Sequence, residues 1–62
     1  MRISLKAARI NKSLTQEEAA KRLEVSKKTL WSWENGKSFP TADKIDPICE
    51  LYEVTYNQIK FF

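Results

Sequence analysis

Apolar residues recur along the chain at helical rather than strand spacing, and three of the apolar runs open on the same short signature. In "LTQEEA", Leu14 precedes Thr15, Glu18 stands three residues on and Ala19 follows, the pattern of an N-cap with a capping box and a hydrophobic staple. "VSKKTL" repeats the N-cap and the staple with Val25, Ser26 and Leu30, and "VTYNQI" repeats the whole signature with Val54, Thr55, Gln58 and Ile59. A further start falls at Thr41, where Asp43 lies in the first turn beside the positive end of a helix dipole. No stretch alternates with the strand period, and Gly36, Pro40 and Pro47 do not divide the chain into strands and turns. The pattern predicts five helices, over about 3–12, 16–23, 27–34, 42–52 and 56–61. Short connections join them into one all-α domain covering 1–62. Pro47 falls inside the fourth helix, which predicts a kink or a restart capped by Asp46.

Helical spacing also assigns faces. Leu5, Ala8 and Arg9 share one side of the first helix, with Ile3 and Ile10 opposite. Ala19, Ala20 and Leu23 form the inner side of the second, where two alanines let another backbone approach. Leu30, Trp33 and Glu34 face one way on the third, while Lys28 and Ser32 face the other, flanked by Trp31 and Thr29. An unpaired buried charge is very costly. The two inward charges, Arg9 and Glu34, are therefore expected to pair.

Composition narrows the chemistry. Hydrophobic residues are 42% and charged residues 31%, a globular balance rather than a disordered one. There is no histidine, which removes Cys/His zinc sites and histidine-based catalytic triads. Gly36 is the only glycine, so glycine-rich phosphate loops are excluded as well. The single cysteine, Cys49, reads as a small core residue. No apolar run approaches a membrane span and the N-terminus lacks a signal-peptide core, which points to a cytoplasmic protein. These exclusions argue against an enzyme, and no metal or cofactor is implied. The net charge of +3 suits an acidic partner without naming one.

Residues 15–37 thus read as a helix, a short turn capped by Ser26, and a second helix, the form of a helix-turn-helix. Arg9, "LTQEEAAKRL", "VSKKTLWSWE", "ENGK" and the later "LYEVTYNQI" resemble the phage repressor and Cro type of helix-turn-helix protein, the XRE family. The resemblance covers roughly residues 3–60 and implies a compact five-helix, lambda-repressor-like domain whose helices 2 and 3 form the reading unit. It implies base-edge contacts from Lys27, Lys28, Thr29 and Ser32, and backbone contacts from Gln16, Asn35, Lys37 and the loop to Thr41. It also implies that Arg9 and Glu34 lock the first helix to the third. Lysine can donate to guanine O6 and N7, and Ser or Thr can bond several base edges. Helix N-termini and cations favour phosphate, which positions the domain while base contacts choose the sequence.

The chain departs from the family where glycine is usual in the turn, at Glu24, and Glu53 stands at the equivalent point before the last helix. A left-handed backbone there costs roughly 1 kcal/mol. Trp31, a large aromatic flanking the reading face, suits a thymine methyl, a sugar or a protein partner. Phe61 and Phe62 suit either cover for the Ile3/Ile10 side of the first helix or a dimer contact. Such repressors read two half-sites about one helical turn apart. The expected partner is double-stranded DNA, bound by a transcriptional repressor of phage or mobile-element type that dimerises at least on DNA. A second reading is an antitoxin-like module that uses the same fold to hold a toxin or another regulator.

Overall fold

Side-chain caps set where the helices begin in the computed structural model, which describes residues 2–61. Ser4 accepts a hydrogen bond from the Ala7 amide and opens α1 (Leu5–Asn11). Thr15 and Glu18 complete a reciprocal capping box at α2 (Gln16–Leu23). Ser26 accepts from the Thr29 amide at α3 (Lys27–Glu34). Thr41 precedes α4 (Ala42–Tyr52), but its hydroxyl donates to Asp43 instead of capping the backbone.

The helix ends are equally regular. Ser13, Glu24, Gly36 and Glu53 all take the left-handed conformation, with φ of 58°, 59°, 72° and 54°. The residue after each returns a backbone hydrogen bond five positions back: Leu14 to Arg9, Val25 to Ala20, Lys37 to Ser32 and Val54 to Cys49. This is the Schellman closure of a helix, usually built on glycine. Three of the four use Ser or Glu instead, at the steric cost expected for the two glutamates. What fixes those three turns is the next residue: Leu14, Val25 and Val54 pack against the core and directly precede the N-caps Thr15, Ser26 and Thr55. One apolar residue therefore ends one element and staples the start of the next. The exception is the exit from α3, where the corresponding residue is the exposed Lys37.

Two of the five expected helices are corrected. The first is shorter than 3–12, because Ser4 caps it and Ile3–Ser4 forms a short strand, β1. The fifth, expected over 56–61, is a single 3-10 turn over Tyr56–Gln58 followed by a second strand, β2 (Ile59–Lys60). The Thr55 amide does donate to the Gln58 side chain at 2.8 Å, so the start signal works locally. After that one turn the backbone becomes extended at Ile59, whose β-branched side chain suits a strand, and Ile59 pairs instead with Ile3. The pairing is parallel, Ile3 opposite Ile59 and Ser4 opposite Lys60, so the described residues form a mostly helical fold with four α-helices rather than five and one short strand pair. Nor does α4 restart at Asp46: it runs through Pro47. The carbonyl that Pro47 leaves without a partner is that of the exposed Asp43, where water can serve it.

The core gathers Leu5 and Ala8 from α1, Ala19, Ala20 and Leu23 from α2, Leu30 and Trp33 from α3, Ile48 and Tyr52 from α4, and Ile59 from β2. Phe61 and Ile3 pack against this cluster, whereas Ile10 stays 54% exposed, so the expected cover over Ile10 is not formed. Phe62 lies outside the described residues. Cys49 is half-buried, and burial, reinforced by Asp46, pushes its thiol up from the ordinary range.

Candidate nucleic-acid interface

The turn between α2 and α3 is three residues long, Glu24, Val25 and Ser26, and fixes the two helices as one unit. Ala19 and Ala20 are buried, and their small side chains let α2 lie close to its neighbours. Lys44 of α4 donates to the Leu23 carbonyl at 3.0 Å and so closes the C-terminal end of α2 with a cation, the favourable sign for that end of the dipole. Nothing in the sequence pattern singled out this contact.

Behind α3 sits the latch. Arg9, 7% exposed, donates through Nε to Glu34 Oε2 at 2.7 Å and through Nη2 to Oε1 at 3.3 Å. Its Nη1 donates to the Leu14 carbonyl at 2.8 Å, in the turn before α2. Gln16 Nε2 donates to Glu34 Oε1 at 3.0 Å. One buried carboxylate thus joins α1, α2 and α3, and each charge has several partners, which is what makes a buried pair tolerable. Tyr52 of α4 lies beside the pair: burial, then the Glu34 charge, pushes its phenol up to about 12, with Arg9 acting the other way. Gln16 and Tyr52 were not foreseen as members of this cluster. At the mouth of α2, the Thr15 amide and then its hydroxyl hold the Glu18 carboxyl below the usual carboxylate range.

The other side of α3 is open. Lys27, Lys28 and Asn35 are exposed, while Thr29 and Ser32 are half-buried at its margin. Thr29 is tied to the cap, since the Ser26 hydroxyl donates to its Oγ1 at 2.8 Å. Asn35 closes the helix, its backbone amide and its side-chain Nδ2 both donating to the Trp31 carbonyl, the latter at 2.9 Å. Trp31 does not flank this face but lies within it, 45% exposed, one turn beyond Lys27 and Lys28. Lys37 and Thr41 are exposed beyond the end of α3. The structure therefore brings Lys27, Lys28, Trp31 and Asn35 onto one outward surface with Thr29 and Ser32 at its edge. Gln16 is drawn inward to Glu34. With its side chains an α-helix is about 10–12 Å across, which a major groove about 12 Å wide admits.

Two helices held at a capped three-residue turn, the second basic outside and latched inside, define a helix-turn-helix. The comparisons agree: the chain matches the family described as "Helix-turn-helix domain" over residues 1–60, and it belongs to that family. It is also similar to the HTH-type transcriptional activator BcrR of Enterococcus faecalis, with 34% identity over 55 residues. That alignment covers 89% of this chain and 27% of the relative, so the chain spans about a quarter of that protein's length. No solved structure matches the chain significantly. Among the described residues, no helix is long and apolar enough to cross a membrane.

Proposed function

We propose that this domain binds double-stranded DNA in a sequence-specific manner and regulates transcription, with α3 lying in the major groove. The observation that carries the reading is the division of α3 into a core-locked side, with Leu30, Trp33 and the latched Glu34, and an outward side bearing Lys27, Lys28 and Trp31. A helix anchored this firmly can hold side chains against base edges at fixed positions. Lys27 and Lys28 stand at its N-terminal end, where cations and the helix dipole together attract a polyanion. In this proposal Lys28 and Ser32, with Lys27 and Thr29, meet bases, while Asn35, Lys37 and Thr41 meet phosphates. Gln16 contributes by bracing Glu34 and by presenting the start of α2 to the backbone. A repressor is the expectation from the phage-type resemblance, whereas the relative bears the name of an activator. The sign of regulation follows from where an operator lies rather than from how it is read, so the proposal is a regulator.

Selection of binding sites from random duplex DNA tests the reading. One enriched motif, weakened when its bases are changed, is the expected result. A folded domain that enriches no motif overturns it and favours a protein-binding role for the same surface.

A further inference from the structure

We propose that Trp31 reads the 5-methyl group of a thymine on the floor of the major groove, an inference that rests on α3 being the recognition helix. Large aromatics usually serve a core, and Trp33, two residues on, does so at 6% exposure. Trp31 has no such role: it is 45% exposed and lies outside the set of side chains packed on the core. Its indole has no ring partner, ion pair or hydrogen bond among the described residues. Its backbone, in contrast, is fixed, because both donors of Asn35 hold the Trp31 carbonyl. The ring therefore projects from a rigid point within the outward face, between the lysines one turn before it and Asn35 one turn after it.

What it meets follows from the chemistry of the groove. On the major-groove edge the purines present chiefly donors and acceptors, cytosine adds only a small C5–H, and thymine alone carries a methyl group, the 5-methyl. An indole pressed onto a polar base edge would displace water from donors and acceptors and leave them unpaired. Against a thymine methyl, apolar surface covers apolar surface and the O4 acceptor stays accessible beside it. The lysines supply attraction to the duplex and hydrogen bonds, and Trp31 supplies selection for thymine at one position per bound domain. This role needs the ring and not the indole N–H.

The test uses the site recovered for the wild-type chain, with each thymine replaced in turn by deoxyuridine, which removes only the methyl. Binding of the duplexes is measured by fluorescence anisotropy for wild type, Trp31→Ala and Trp31→Phe. One replacement per half-site should weaken wild-type binding about fourfold, the effect of one buried methyl. Trp31→Ala should bind the thymine and deoxyuridine duplexes equally, and Trp31→Phe should keep most of the preference. Both variants should melt as the wild type does, since the ring does not pack on the core. The inference is overturned if no replacement matters, or if Trp31→Ala shows the same loss as wild type. It is equally overturned if Trp31→Phe behaves like Trp31→Ala, which would put the N–H at the base edge. Failure to recover any site sinks the recognition-helix reading itself, a distinct result from a recovered site indifferent to the methyl.

Discussion

Trp31 and Trp33 stand two residues apart on the same helix and inhabit different worlds. One is nearly half exposed among lysines, and the other is buried with Leu5, Leu30 and Tyr52 in the core. The contrast extends to the polar residues. Glu34 on the inner side has a side chain 1% exposed and is satisfied by Arg9 and Gln16, whereas Lys27 and Lys28 on the outer side are in water. An eight-residue helix has little stability of its own. Its inner half is what holds its outer half in place. Substitutions on the two halves should therefore separate into losses of folding and losses of binding.

The largest effects belong to the inner half. Trp33→Ala removes a buried aromatic and should cost about 3–5 kcal/mol in urea unfolding. Glu34→Ala should cost about 3–5 kcal/mol, because it leaves the Arg9 guanidinium buried without its carboxylate. A chain of 62 residues has a total stability of only about 3–9 kcal/mol, so either variant should remove about a third of it or more. A loss below about 1 kcal/mol for Glu34→Ala, the range of exposed pairs, would mean that the latch is solvated and α3 is held by apolar packing alone.

On the outer half, Lys28→Ala should leave the melting curve in place and weaken binding to the preferred site by about 1–3 kcal/mol. A shifted melting curve with unchanged binding would reverse the assignment of the two faces. A smaller effect comes from the turn that joins α2 to α3. Glu24 has a φ of 59°, where glycine is free of strain, and Glu24→Gly should raise stability by about 1 kcal/mol. Chemical denaturation checks it, and a destabilised variant would show that the glutamate side chain contributes more than its backbone costs.

These contrasts were legible in the chain to very different degrees. Helices α2, α3 and α4 occupy the predicted 16–23, 27–34 and 42–52: Thr15 with Glu18 and Ser26 cap α2 and α3 locally, while Thr41 marks the start of α4 without capping its backbone. The apolar residues Leu14, Val25 and Val54 strengthen those signals by serving two neighbouring elements at once. The ends of the chain were not legible in this way. Pairing of Ile3 with Ile59 joins residues from opposite ends, and strands of two residues carry no periodicity. Ser4 is a cap that the sequence does carry, three residues before the Ala7 amide that donates to it. Spacing alone brought Arg9 and Glu34 to facing surfaces, but Gln16, the Leu14 carbonyl and Tyr52 join that cluster only through the packing of three helices. Spacing likewise set Trp31 at the margin of the outward face, where the fold gives it a central place.

In the proposed reading, the outer face of α3 chooses bases while the exit beyond it only holds phosphate. Parallel site selections with wild type, Lys28→Ala and Lys37→Ala, followed by titrations at several salt concentrations, test it most directly. Lys28→Ala should relax the preference at one base position. Lys37→Ala should keep the wild-type motif, bind all duplexes more weakly and lower the salt slope by about one unit per domain. If both variants instead lose affinity uniformly with no change of motif, the lysines form a general electrostatic patch and the account of α3 as a reading helix is contradicted.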